Sequence, residues 1–249
     1  VVVAIIGILS SVVLASFNSA RDKARLAAGK QADSNILHGI GDRLVAEWKF
    51  EDTSNLGLDT SGNNKNLSIF GNPLSTTGFN GRNAVYLSAN NYFTFTGLPL
   101  NFGNGDKNTV SFWMYWEGTD QNMPFGFSTN YDLYFAYGLF GFNTFAGDTY
   151  GLSSNGLSGR WVFITAVFEN GDSKKSKLYI DGVDQNISLA RGTTTNLRNA
   201  SSDGFVGAGP SSFTFTGKLD DVRIYSSALN SAQIQKLYAS ELSKFLVRE

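Results

Sequence analysis

From Arg43 to Tyr225 the chain alternates apolar and polar residues over short runs that Gly, Asn, Asp and Ser interrupt, and no helical period intervenes. Val45 to Phe50, Ala84 to Ser88, Thr109 to Trp116, Trp161 to Phe168, Lys177 to Ile180 and Leu219 to Tyr225 are rich in β-branched and aromatic residues and read as strands. Strands this numerous, without helices between them, require two packed antiparallel sheets. The predicted fold is therefore mainly β, an antiparallel sandwich. Asp181-Gly182 supplies the positive φ values of a tight hairpin turn. Asn230 to Tyr238 places an Asn cap ahead of Ile234, Leu237 and Tyr238 at helical spacing, which predicts a short closing helix.

The 249 residues suffice for one sizeable β domain plus an appendage, because a domain of roughly 200 residues buries about 70% of its unfolded surface. Cysteine is absent, which excludes a disulfide framework and a thiolate metal site. Lys and Arg number 20 against 21 Asp and Glu, so the chain has no general attraction to nucleic acid and none is expected as a partner.

Ahead of the β region, Val1 to Phe17 is an unbroken apolar run. At about 1.5 Å per residue it reaches roughly 26 Å, slightly short of the roughly 30 Å bilayer core, so further residues are expected upstream. The helical pattern continues through Ser19 to Asp33, with Ala20, Ala24, Ala27, Ala28 and Ala32 forming a small-residue stripe suited to close helix packing. A long N-terminal α-helix is predicted to about Ile36 or Leu37, dividing the chain into 1–38 and a sandwich at 39–249. Gly39 to Asp42 is then a kink or a flexible joint. An ordinary single-span anchor or an uncleaved signal sequence is the plainer alternative. Arg21, Lys23, Arg25 and Lys30 by themselves argue for a cytoplasmic C-terminus, an excess that Asp22 and Asp33 soften.

The stretch Val1 to Arg25 resembles the N-terminal helix of type IV pilins and of type II secretion pseudopilins. That resemblance implies a basic leader, which supplies competing positive charge, and a processed, methylated N-terminus; those positions precede Val1. It also implies a filament core built from Val3, Ile6, Gly7, Val13, Leu14 and Phe17. The partners would be copies of the same chain in a helical filament, with the inner membrane as their location before assembly and the cell surface after it.

A second resemblance is carried by Trp48-Lys49-Phe50 with Glu51 and Asp52, by Asp59 to Asn64, and by Val110 to Met114. Arg160-Trp161, Leu178 to Gly182, Gly217 to Tyr225 and Ala228 to Asn230 complete it in order. Together they resemble laminin G-like, or concanavalin A-like, domains of bacterial surface proteins. This implies a jelly roll with its first and last strands side by side, bringing Glu51, Asp52 and the Asp59 loop near Asp220 and Asp221. Such hard oxygen ligands suit Ca²⁺, and Asp52, Asp59 and Asp220 are the expected ligands, with Asp221 on the opposite face because strand neighbours alternate. The alternative is an Asx-turn at Asp59 to Gly62 and a solvated Asp220.

Between Phe125 and Tyr150 aromatic residues are dense. Most of them fit the core, as the alternation Leu133, Phe135, Tyr137 fits an inward face. Tyr131, Tyr134 and Tyr150, flanked by Asn130, Asp132 and Asp148, are the candidates for stacking on sugars. Catalysis is not expected. Retaining glycoside hydrolysis needs two close carboxyls, and the glutamates at 47, 51, 117, 169, 241 and 249 include no Glu-x-Asp-x-Glu run. His38 is the single histidine and lies at the helix-to-sheet junction, where a Ser-His-Asp triad within the sandwich is out of reach. The expected function is that of a pilus-like filament subunit displaying a lectin-like domain for adhesion, where many weak sites gain avidity. The alternatives are a membrane-anchored carbohydrate-binding module and a pseudopilin that forms no long fibres.

Overall fold

Two long strands, Lys107–Trp116 and Trp161–Glu169, pair antiparallel in unbroken register from Trp161 opposite Tyr115 to Glu169 opposite Lys107. They form the middle of the first of two sheets in this computed structural model, which describes residues 21, 23–25, 27–29, 31, 34–79, 81–88, 90–127, 131–144, 148–193, 197–208 and 213–246. In chain order the strands are β1 (Leu44–Trp48), β2 (Ser68–Phe70), β3 (Leu74–Thr77), β4 (Asn83–Leu87), β5 (Tyr92–Phe95), β6 (Lys107–Trp116), β7 (Asn122–Phe127) and β8 (Tyr131–Ala136). They continue with β9 (Leu139–Asn143), β10 (Thr149–Ser153), β11 (Trp161–Glu169), β12 (Lys177–Ile180), β13 (Val183–Gln185), β14 (Ser188–Arg191), β15 (Gly204–Val206) and β16 (Gly217–Tyr225). The first sheet has the order β13-β12-β11-β6-β16-β4-β3, with β1 also on β16; the second runs β14-β10-β9-β8-β7-β15-β5-β2. Every strand pair is antiparallel, as the sequence predicts.

The core lies between the sheets. Period two turns Val110, Phe112 and Met114 of β6 and Val162, Ile164, Ala166 and Phe168 of β11 inward, against Phe93, Phe95, Phe125, Phe127, Leu133, Phe135, Phe140 and Phe142 of the second sheet. Phe168 plants its ring edge-on among Phe127, Tyr131 and Phe142 at 5.0, 4.8 and 4.9 Å. Each such buried side chain contributes about 1.5–3 kcal/mol.

The first sheet's outer face is covered too. Trp113 lies under Phe79, at 3.6 Å between ring centroids, and under Tyr238 of the C-terminal helix Ser231–Leu246. That helix opens with the expected Asn cap: Gln233 donates its backbone N–H to Asn230 Oδ1, and Asn230 donates its own to Gln233 Oε1, both at 3.0 Å. It runs beyond the expected end at Tyr238. Asp181 and Gly182 have φ of 52° and 76°, the turn that the Asp-Gly pair predicts.

First and last strands do lie side by side, Glu47 opposite Arg223 and Trp48 opposite Val222. A bulge between Asp220 and Arg223 interrupts β16, and Asp221 sits in it with φ 49°. The bulge breaks the alternation expected there: Leu219 and Val222, three residues apart, both face the core, leaving Asp220 and Asp221 between them, and Asp221 Oδ1 lies 3.3 Å from Arg223 Nη2.

The chain divides into two units, up to Asp42 and from Arg43. In the first, the described residues from 21 to 41 are helical, past the expected end near Ile36 or Leu37, and His38 is exposed. Val3, Ile6, Gly7, Val13, Leu14 and Phe17 lie outside the described residues. Among the described residues no helix is long and apolar enough to cross a membrane.

Candidate functional site

Strand β8 reads Tyr131-Asp132-Leu133-Tyr134-Phe135-Ala136. Alternation sends Tyr131, Leu133 and Phe135 into the core, and Asp132 and Tyr134 to the far side of the second sheet. The strand ends in a two-residue turn, Tyr137 and Gly138, with φ of 56° and 71°. The turn breaks the period, so Tyr137 does not continue the inward row of Leu133 and Phe135 but stands 63% exposed. Its backbone N–H donates to Asp120 Oδ2 at 3.2 Å. Over its ring, 3.8 Å from the centroid, lies the guanidinium of Arg191, carried on the edge strand β14.

Tyr134 completes the cluster. It is half-buried and meets Phe213 edge-on at 5.4 Å. Burial, then the charges of Asp132, Tyr137 and Asp120, push its phenol up to about 12, so it stays a neutral hydrogen-bond donor and acceptor. Beside it the sheet has no side chains: Gly141 lies opposite Tyr134, and Gly151 opposite Gly141. Aromatic faces, a carboxylate and a guanidinium beside a bare backbone floor give stacking and multiple hydrogen bonds to one small polar ligand.

The other two tyrosines named from sequence are elsewhere. Tyr131 is fully buried, its hydroxyl 2.5 Å from Ser176 Oγ and donating to the Glu169 carbonyl at 3.0 Å. Tyr150 is buried on the core side of β10. Both face the core because they hold the inward parity of their strands. Tyr137 and Arg191 were missed; Gly138 between two apolar runs is the signal for a turn that displays Tyr137. A second aromatic patch, also unforeseen, pairs exposed Phe70 with Tyr92 at 4.9 Å and 3°, with Phe205 6.2 Å from Tyr92.

Asp52, Asp59 and Asp220 are not brought together as Ca²⁺ ligands. Exposed Asp52 accepts from Ser54 N and Ser54 Oγ, closing its own turn. Asp59 accepts from the backbone of Glu47, Ser61 and Lys65 and from Ser61 Oγ. Its burial favours the neutral form, yet these donors outweigh it and hold the carboxyl below its ordinary range. The Asx-turn alternative describes it. Asp220 is buried, not solvated, and burial, Asp221 and Glu51 push its carboxyl up to about 8. Among the described residues no three His, Cys, Asp or Glu side chains gather as a metal would need, so the expected set does not fit the ion.

Residues 87–235 match the family model of the concanavalin A-like lectin/glucanases superfamily. No curated protein matches the chain. Among solved structures it resembles domain 4 of AbnA, a GH43 extracellular arabinanase from Geobacillus stearothermophilus, in complex with arabinotriose: 22% identity, 79% of this chain and 98% of that one, TM-score 0.57. It also resembles the botulinum neurotoxin serotype D ligand binding domain in complex with N-acetylneuraminic acid, at 15% identity over 83% of this chain, TM-score 0.60. The binding domain of Paraclostridial Mosquitocidal Protein 1 is similar at 18% identity over 81% of this chain, TM-score 0.59. This chain spans only 53% of each of the two toxin domains. The match over residues 87–235 covers more than half of the sequence and agrees with the two-sheet architecture, and the chain belongs to the concanavalin A-like lectin/glucanases superfamily.

Proposed function

We propose that the sandwich is a glycan-binding module, without catalytic activity, whose site is the Tyr134, Tyr137, Asp120 and Arg191 cluster. The observation that carries this reading is Tyr137, lifted into solvent on a tight turn with Arg191 stacked on it and a carboxylate beside it. Aromatic rings take the C–H face of a sugar while the charged groups meet its hydroxyls. Similarly folded domains hold arabinotriose and N-acetylneuraminic acid, which makes those two compounds the first probes beside a glycan array. Binding that falls at least tenfold in Tyr137→Ala and Tyr134→Ala, with unchanged melting temperature, supports the reading. A blank array, or variants that bind as the parent does, overturns it.

The apolar run Val1 to Phe17 and the helical residues that follow support a further part of the same proposal: the module is displayed at the cell surface on a type IV pilus-like filament, for adhesion. Filaments of this subunit in sheared surface material are the expected result. A monomeric, membrane-held protein in their place leaves an anchored binding module or a pseudopilin.

A further inference from the structure

Asn is followed by Gly four times in the chain, at Asn80, Asn104, Asn155 and Asn170. The pair is chemically labile, because a backbone nitrogen whose own residue carries no side chain to shield it can reach the neighbouring side-chain amide carbon. Folding holds two of the pairs. Asn170 is 1% exposed, donates from Nδ2 to the Asn101 carbonyl and accepts at Oδ1 from the Ala200 N–H, both at 2.8 Å, while the Gly171 N–H donates to the Arg198 carbonyl at 2.9 Å. Asn104 accepts at Oδ1 from Asn199 Nδ2 at 3.1 Å, and the Gly105 N–H donates to the Asn170 carbonyl at 2.8 Å. In both pairs the nitrogen that would attack and the amide that would receive it are tied to other partners. Asn80 lies outside the described residues.

Asn155 is different. Ser154 to Leu157 form a turn closed by the Leu157 N–H on the Ser154 carbonyl at 3.1 Å, with Gly156 at φ 79° in the third position, which is a type II turn. Such a turn leaves the N–H of its third residue outside the closing hydrogen bond. Asn155 and Gly156 are both exposed, and neither the Asn155 side-chain amide nor the Gly156 N–H has a hydrogen-bond partner among the described residues. Arg160 donates its Nε–H to the Gly156 carbonyl at 2.8 Å, so a cation stands beside the turn and favours negative charge on it.

We propose that Asn155 is a modification site, at which the Gly156 nitrogen displaces ammonia from the Asn155 side-chain amide. The N–Cγ bond forms as the Cγ–Nδ2 bond breaks; the Gly156 N–H proton goes to water, and the leaving nitrogen takes one up. Water then opens the cyclic imide on either side, giving aspartate or isoaspartate with no redox partner. Either product adds a negative charge, and isoaspartate also adds a methylene to the main chain. Next to this position the Ser154 N–H donates to the Gly138 carbonyl at 2.9 Å, in the turn that lifts Tyr137. The proposal stands without the glycan reading; where the Tyr137 face does bind sugar, the reaction is a slow, one-way change beside it.

Peptide mapping by mass spectrometry, with isoaspartate read by protein isoaspartyl methyltransferase, tests this on the folded full chain incubated in mildly alkaline buffer. The peptide holding Asn155 should convert to aspartate and isoaspartate at least tenfold faster than those holding Asn104 and Asn170. Gly156→Ala, whose methyl group shields the nitrogen, should convert at least tenfold more slowly than the parent. In urea the three sites should converge, because the protection of Asn104 and Asn170 belongs to the fold. An Asn155 that stays intact in the folded chain while converting in urea overturns the proposal. So does equal conversion of the three sites in the folded chain, or a Gly156→Ala chain that converts as fast as the parent.

Discussion

Arg223 Nε and Glu47 Oε1 meet at 2.7 Å across the pairing of the first and last strands, and both residues are buried. The same guanidinium reaches Asp221 at 3.3 Å and, at 3.1 Å, Glu241 of the C-terminal helix. One cation thus ties both ends of the sandwich to the helix that closes its outer face.

Removing one partner of such a network leaves an uncompensated buried charge, which costs about 3–5 kcal/mol. Glu47→Ala and Glu241→Ala should each lower the urea midpoint by that order, and the double variant should lose less than the sum because both act on Arg223. Burial favours neutral Glu47, but Arg223 and Thr60 outweigh it and hold the carboxyl below 4.5. Its stabilisation is therefore present above the unfolded value and fades as pH falls through the lower folded one. A parent chain that melts as readily as Glu47→Ala at pH 7 would contradict the network's role.

Asp220 responds in the opposite sense. Burial, Asp221 and Glu51 push its folded carboxyl up to about 8 from an ordinary 3.8, so the fold favours the protonated form. That contribution is complete below about 3.8 and is lost as pH rises through about 8. Melting temperature should decline between pH 5 and pH 8, and Asp220→Asn should flatten the decline. Asp132 is raised in the same sense, so only the double variant with Asp132→Asn should remove it. Equal slopes in parent and both single variants would refute this assignment.

Tyr131 and Tyr137 should separate stability from binding. Tyr131→Phe removes a buried hydroxyl from Ser176 and the Glu169 carbonyl, at a cost of about 1–3 kcal/mol, without touching the outer face. Tyr137→Ala removes an exposed ring and should leave the urea midpoint within about 0.5 kcal/mol while weakening glycan binding. Loss of binding in Tyr131→Phe at full stability would move the site into the core, against the geometry.

The strands legible in the sequence, β1, β4, β6, β11, β12 and β16, all belong to the first sheet. Its central members are long β-branched and aromatic runs such as Lys107–Trp116 and Trp161–Glu169, where propensity and period agree. The second sheet is built from strands of three to six residues. Gly126, Gly141, Gly151 and Gly204 belong to four of them, and glycine weakens the strand signal of so short a run. The density of aromatic residues between Phe125 and Tyr150 is plain in the sequence, and Leu133 and Phe135 do face inward. What failed was the continuation to Tyr137, because a non-glycine residue with positive φ ends the row and reverses the side chain. Asp221 failed for the same reason: a bulge shifts parity in a way that residue types alone do not announce.

The glycine floor beside Tyr134 yields a last test. A Cβ on Gly141 would stand 2.1 Å from the Tyr150 carbonyl oxygen and 2.4 Å from Gly151 Cα, and backbone cannot step aside as a flexible side chain does. Gly141→Ala should therefore part β9 from β10, costing more than about 3 kcal/mol, beyond ordinary overpacking. Since those strands place Arg191 over Tyr137 through β14, glycan binding should fall with it. Gly156 is the control: its φ is +79° but nothing lies within 4 Å of a Cβ there. Gly156→Ala carries only backbone strain, about 1–2 kcal/mol, and should bind as the parent does. Urea melts and the same binding assay read both variants, and a Gly141→Ala protein as stable as Gly156→Ala would mean that β9 and β10 are not packed backbone to backbone at this point.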